Sequence, residues 1–228
     1  MGLMRFSALL LLLAVEAKSQ VAEKCFGPLS YGMSDDRVEA ELAHIGIQRV
    51  HVPSEPLALK QTFSNSGVVA WDRLENDRQL QIFERKSFQG KVVEQMAEIL
   101  CYFLNEQSAA HLGIGNVKGL QAVILIFDPL EKDCLNTFET LQKIVSERNG
   151  PPSRSTRKFE EPFHHHDGYT EAAIKAGKCL YEDCWQHSGG NLSIWLRIGK
   201  DLKIMLHYQS SAFGRVVNRD LENKKEVL

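Results

Sequence analysis

The apolar run from Gly119 to Asp128 constrains the fold more than any other stretch of the sequence. It reads Gly-Leu-Gln-Ala-Val-Ile-Leu-Ile-Phe-Asp, which is nearly continuous and has the length of a strand. A strand that is apolar on both faces is typical of the interior of a sheet, because an outer strand would expose one face to water. The run therefore predicts a central strand.

A helix is predicted to begin at Ser34. Serine is a favoured N-cap residue, and the two aspartates after it place negative charge where the helix dipole favours it. Apolar residues then recur at helical spacing. They are Val38, Leu42 and Ile45. Gly46 should end the helix.

A second helix is predicted from about Asp133 to Asn149. One of its faces is apolar, and the Gly-Pro-Pro sequence behind it should end it abruptly. The residues of that face are Cys134, Phe138, Leu141 and Val145. Residues 151–168, rich in Pro, Ser, Arg and His, are predicted to form a loop.

Several other segments have the composition of strands. They are Gly67–Asp72 and Gln79–Glu84, predicted as a hairpin, and Leu180–Gln186, Leu192–Ile198 and Leu202–Gln209. The stretch from Val92 to Leu104 is ambiguous. Its periodicity alone favours a helix, whereas the cluster from Ile99 to Phe103 has the composition of a strand.

These elements predict an α+β protein with antiparallel sheets and two main packed helices, either as one unit or as two small modules. The expected divisions are residues 1–17 as a signal peptide, 18–110 as an N-terminal module, 111–214 as a C-terminal module and 215–228 as a charged tail.

The N-terminus has the layout of a secretory signal peptide. Arg5 precedes an apolar run from Ala8 to Val15, and Val-Glu-Ala at residues 15–17 offers a cleavage site. The run is too short to span a bilayer, which takes about 20 residues. No later apolar run approaches that length. We therefore expect export to the periplasm or outside the cell, with no transmembrane segment after signal removal.

The charge balance argues against nucleic acid as a partner. The formal net charge is −2, so the chain lacks the basic excess that binding a polyanion requires.

Five cysteines in an exported chain favour disulfides, but an odd number leaves at least one without an intrachain partner. Cys179 and Cys184 are a candidate pair. In one straight strand they would lie about 17 Å apart on opposite faces, out of reach of each other. A bond between them needs a turn at residues 181–183.

Several short motifs resemble those of uncharacterised bacterial exported α+β proteins. They are Phe26-Gly27, Gly32-Met33-Ser34 followed by Val38, Asn149-Gly150-Pro151, Trp185, and Leu206-His207-Tyr208. The opening motif is also similar to that of small outer-membrane assembly lipoproteins and of β-lactamase-inhibitor-like modules. The resemblance implies a location in the cell envelope, and it favours a strand for Val92–Leu104.

The run His164-His165-His166-Asp167 is the candidate metal site. In an extended loop His164 and His166 would point to one side and could share a zinc ion. A third ligand would have to come from elsewhere, for example from Glu160, Asp183 or His187. Neither a His-Glu-x-x-His nor a Cys-x-x-Cys motif is present, and a solvated polar loop is the alternative.

Two tryptophans on predicted strands are candidate binding residues. Trp71 and Trp195 each could present an aromatic ring on a sheet face, and Trp195 alternates with Ile194 and Leu196. Core packing is the alternative role.

No stretch carries a catalytic signature; the Gly-x-Ser-x-Gly motif, for example, is absent. We therefore expect a non-catalytic binding or structural module that contacts another envelope protein and uses no cofactor. The alternative is an exported, zinc-dependent hydrolase that uses His164 and His166.

Overall fold

The structure is a computed structural model that describes residues 24–50, 83–104, 117–186 and 192–213. Its strands are β1 (Gln48–Val50), β2 (Phe83–Val92), β3 (Gln95–Leu104), β4 (Gly119–Phe127), β5 (Arg154–Phe159), β6 (Cys179–Gln186), β7 (Leu192–Ile198) and β8 (Ile204–Ser210). Its α-helices are α1 (Asp35–His44), α2 (Cys134–Asn149) and α3 (Thr170–Lys175), and a 3-10 turn, Glu131–Asp133, leads into α2.

The described strands form one antiparallel sheet with the order β1-β2-β3-β4-β8-β7-β6-β5. This is the α+β architecture that the sequence predicts, in one sheet rather than several. The expected module boundary at residues 110 and 111 falls between β3 and β4, outside the described residues. These two strands pair directly with each other.

The apolar run forms β4, which is confirmed as a central strand. It pairs with β3 on one side and β8 on the other, and every residue from Leu120 to Phe127 is buried. Alternate residues of the strand face opposite sides, so both faces of the sheet are shielded from water here.

Apart from the turn at Val93 and Glu94, the segment Val92–Leu104 is strand, as the resemblance implies. The prediction of a helix from its periodicity is wrong. β2 and β3 form a hairpin whose turn residues, Val93 and Glu94, both have positive φ. Cys101 and Tyr102 are adjacent and both buried. Since neighbouring residues of a strand face opposite sides, burial of both faces produces the dense apolar pattern that imitates a helix.

Both predicted helices are present. Val38 and Leu42 of α1 are buried, but Ile45 is 48% exposed because it lies beyond the last helical residue, where Gly46 takes a φ of 78°. The side chain of Ser34 makes no capping hydrogen bond. The predicted apolar face of α2 is buried as expected, and it belongs to the same apolar cluster as Val38 and Leu42.

The predicted loop at 151–168 is wrong in part. Residues 154–159 form β5, which pairs with β6 at the edge of the sheet. The strand has the polar sequence Arg-Ser-Thr-Arg-Lys-Phe, so hydrophobic periodicity could not reveal it. The predicted hairpin at Gly67–Asp72 and Gln79–Glu84 lies outside the described residues, apart from positions 83 and 84.

Within the described ranges, none of the helices combines the length and the apolar character needed to cross a bilayer.

The loop before α1 approaches β4 closely at Gly119. A Cβ atom at this position would lie 2.5 Å from the carbonyl oxygens of Gly32 and Met33, and the residue has a φ of 73°. We expect Gly119→Ala to cost more than about 1 kcal/mol, because it combines an unfavourable φ with a backbone collision. Urea denaturation measures the loss.

Gly150→Ala is the matched control for Gly119→Ala. Gly150 has a φ of 78°, but a Cβ atom there would meet nothing within 4 Å. Gly150→Ala is therefore expected to lose only the free energy that it costs to hold an alanine at positive φ. Equal losses in the two variants would contradict the close approach of the loop to β4.

Candidate functional site

The run from His164 to Asp167 forms an exposed turn organised by its aspartate. The two carboxylate oxygens of Asp167 accept hydrogen bonds from the backbone N–H groups of His164, at 2.9 Å, and Tyr169, at 2.8 Å. These bonds, the one from His164 first, lower the pKa of Asp167. The imidazoles of all three histidines are exposed.

Among the described residues no three His, Cys, Asp or Glu side chains are grouped to hold a metal ion. Two of the nominated third ligands are engaged elsewhere: Glu160 lies 3.7 Å from the Lys178 ammonium, and Asp183 accepts hydrogen bonds from other side chains. His187 lies outside the described residues. The zinc site at His164 and His166 stays a prediction.

The prediction of a disulfide between Cys179 and Cys184 is wrong. Both residues lie in β6, with no turn between them, so their side chains project to opposite faces of one strand. The structure describes all five cysteines of the chain, and no disulfide links them.

Trp195 lies on the predicted face of β7. Its neighbours Ile194 and Leu196 belong to the apolar cluster, whereas Trp195 lies on the opposite face and is half-buried. Its ring stacks on that of His207, with the centroids 5.2 Å apart. Trp71 lies outside the described residues. Trp195 is thus engaged with a buried histidine of the same sheet.

A buried ion pair, missed by the sequence reasoning, joins β5 to β6. The Arg157 guanidinium donates to both carboxylate oxygens of Asp183, at 3.1 and 3.0 Å, and Asp183 is fully buried. Gln142 of α2 also donates to Asp183, at 2.7 Å. Burial is the largest single influence on the pKa of Arg157, and it lowers that pKa. The hydrogen bond to Asp183 and the charge of Asp183 act in the opposite direction, and the pKa is raised overall.

The adjacent Glu182 is also buried, on the opposite face of β6. One of its oxygens accepts a hydrogen bond from Arg154 at 3.1 Å, and Arg197 is its cross-strand neighbour on β7. Burial raises the pKa of Glu182, and the charges of the two arginines oppose that rise. Two adjacent acidic residues inside an otherwise apolar strand were the only indication of these pairs in the sequence.

An open groove lies between the segment that precedes α2 and the start of α3. Its volume is about 610 Å³. Its lining residues are Leu130, Glu131, Lys132, Gly168, Tyr169, Glu171 and Ala172. We call it the Leu130–Tyr169 groove, because these two large apolar residues are 68% and 64% exposed.

Two carboxylates, Glu131 and Glu171, line this groove. Lys175 lies 2.5 Å from the Glu131 carboxylate at one side. Burial, and then the charges of Glu171, Asp201 and Glu131, raise the pKa of the Cys134 thiol to about 11. Lys132 also lines the groove, so charges of both signs are present there. The groove joins segments that are nearly 40 residues apart, and neither of them has a distinctive sequence.

No protein-family model, curated protein or solved structure matches this chain.

Proposed function

We propose that this chain is an exported protein of the cell envelope that binds another envelope protein without catalysing a reaction. The proposed contact surface is the Leu130–Tyr169 groove. Export is supported by the layout of residues 1–17, with Arg5 before the apolar run.

The observation that carries the proposal is the joint exposure of Leu130 and Tyr169 across one concave surface. Large apolar side chains usually lose most of their exposure on folding, and those that remain exposed together mark interaction sites. Tyrosine is enriched among residues that dominate binding energy, because its rigid ring offers a large contact area and its hydroxyl still bonds to water or partner.

Charges of both signs line the groove, namely Lys132, Glu131, which pairs with Lys175, and Glu171. A bound segment is proposed to carry lysine or arginine beside an aliphatic or aromatic side chain. The apolar residue would pack between Leu130 and Tyr169, and the basic residue would meet Glu171.

The buried Arg157–Asp183 pair favours a structural role over a catalytic one for these two residues. Arg157 and Asp183 are occupied by each other and by Gln142, and they join β5, β6 and α2. The pair stabilises β5 and β6, the two strands between which the chain forms the turn that lines the groove.

Peptide display against the purified mature protein tests the groove. We expect the enriched peptides to combine an apolar residue with lysine or arginine, and to bind at least tenfold more weakly to the Leu130→Ser/Tyr169→Ser variant. The matched control is Met96→Ser, since Met96 is 53% exposed in β3 and is not a lining residue of the groove. Equal binding to the groove variant, or equal loss in the control, would exclude this surface.

A histidine variant separates the binding protein from the zinc-dependent hydrolase. We expect His164→Ala/His166→Ala to keep its stability and its peptide binding, because all three imidazoles of the turn are exposed and Asp167 holds the turn through backbone bonds. Metal content is measured after purification without an affinity tag. One equivalent of zinc that is lost in the double variant would favour the hydrolase.

A further inference from the structure

The segment before α1 folds back on itself and packs on the sheet. Lys24 and Ser30 form an isolated antiparallel bridge, and the Cys25 N–H donates to the Leu29 carbonyl at 3.0 Å. Leu29 is fully buried, and the half-buried Cys25 packs against the apolar cluster that contains Cys101. The two cysteines therefore lie on the same side of the sheet.

The position of the segment over the sheet follows from its contacts. Cys101 pairs with Val123, and Val123 with Tyr208, so these three form a row across β3, β4 and β8. The ring of Phe26 lies 6.2 Å from that of Tyr208. The residue next to Cys25 thus lies over one end of the row that contains Cys101.

A second set of contacts fixes the other end of the segment. The Gly32 N–H donates to the Leu120 carbonyl at 2.9 Å, and the Leu120 N–H donates to the Met33 carbonyl at 2.8 Å. Leu120 pairs with Phe103, which lies two residues from Cys101 on the same face. The end of the segment therefore lies beside the start of β4, the strand that pairs with the strand of Cys101.

Cys25 contributes to the electrostatic surroundings of the Cys101 thiol. Burial is the main cause that raises the pKa of the Cys101 thiol, and the charge of Cys25 raises it further. The pKa values of Cys134, Cys179 and Cys184 are raised by burial and altered by other charged groups, with no contribution from a cysteine.

The other cysteines are poorly placed for pairing. The Cys134 thiol donates to the Leu202 carbonyl at 3.3 Å. Cys179 and Cys184 lie on opposite faces of β6. Cys134 and Cys179 also belong to the apolar cluster that contains Cys101, but among the cysteines it is Cys25 whose charge acts on the Cys101 thiol.

We propose that Cys25 and Cys101 form an intrachain disulfide once the protein meets an oxidising, disulfide-bearing compartment, an inference that rests on the proposed export. The half-buried Cys25 thiolate attacks a small-molecule disulfide and releases one thiol. Cys101 then loses its proton, attacks the Cys25 sulfur of the mixed disulfide and releases the second thiol; this step is the slower one, because burial raises the pKa of Cys101. Two protein thiols become one S–S bond, and the two electrons reduce the oxidant to two thiols. The bond ties the start of the mature chain to the centre of the sheet.

Thiol counting on the purified full-length mature protein in oxidised glutathione tests the bond. Denaturation, alkylation and intact mass should show a loss of two of the five thiols, and peptide mapping should find Cys25 linked to Cys101. Cys25→Ser should retain all four remaining thiols. Cys184→Ser, which also replaces a buried cysteine, should still lose two.

Five alkylated thiols in the oxidised wild type, or a link between another pair, would overturn the inference. Cys25 is only half-buried, so its serine variant is expected to fold and the test does not depend on Cys101→Ser. Oxidation in vitro requires no export and no partner. A failure of the disulfide is therefore distinguishable from a failure of the proposed function.

Discussion

The Arg157→Met variant is expected to lose about 3–5 kcal/mol of its free energy of unfolding. In the wild type, the Arg157 guanidinium makes two hydrogen bonds to Asp183, which is fully buried, and one to the Glu182 carbonyl at 2.8 Å. It also lies 3.8 Å from the centre of the Tyr181 ring. Without Arg157 the Asp183 carboxylate keeps the cost of its burial and loses its counter-ion.

Urea denaturation of matched variants checks this loss. Arg49→Met removes an exposed pair, Arg49–Glu39 at 2.9 Å, and should cost less than about 1 kcal/mol. Arg157→Met/Asp183→Asn should recover part of the loss, because the asparagine carries no charge to compensate. A loss equal to that of Arg49→Met would show that Asp183 does not depend on Arg157.

The second large effect is a loss of stability in mild acid caused by His207. Burial lowers the pKa of His207 from 6.5 to about 3. As the pH falls below 6.5, the unfolded chain therefore binds a proton that the folded chain excludes, and the contribution of His207 is lost between pH 6.5 and pH 3. The slope approaches about 1.4 kcal/mol per pH unit, or about 2 kcal/mol between pH 6.5 and pH 5.

The comparison with His207→Gln isolates this contribution. Burial raises the pKa of Glu182. The Glu182 carboxyl therefore contributes stability at low pH, and this contribution is lost as the pH rises above about 4.5. Its pH dependence is opposite in sign to that of His207. The difference between wild type and His207→Gln removes the influence of Glu182. His44→Gln, which replaces an exposed histidine, should keep the wild-type slope. A similar pH dependence in His207→Gln and the wild type would contradict the account.

The sequence predicts those elements whose hydrophobic pattern is decided by burial on one or both faces. The helices α1 and α2 follow their apolar spacing, and β4 follows its continuous run. β5 is missed because an edge strand needs few apolar residues; its Arg157 is positioned by a charge on the neighbouring strand. Tertiary pairing, not local composition, determines that strand.

The candidate site depends on tertiary structure even more. His164 and His166 stand out in the sequence, yet their turn is explained by the hydrogen bonds of Asp167. Leu130 and Tyr169 are ordinary residues in sequence, and they become notable only because folding leaves both exposed at one groove. The same holds for Cys25, which packs against the apolar cluster that contains Cys101 only because the N-terminal segment folds onto the sheet.

Photo-crosslinking in the native cell tests whether the Leu130–Tyr169 groove binds an envelope protein. A photoreactive residue replaces Tyr169 in one variant and Met96, an exposed residue of β3, in the other. We expect a discrete cross-link from position 169 to an envelope protein, within a segment that carries an apolar residue beside lysine or arginine, and its loss when Leu130→Ser is added. No cross-link at position 169, the same cross-link from position 96, or a cytoplasmic protein as the only product would contradict it.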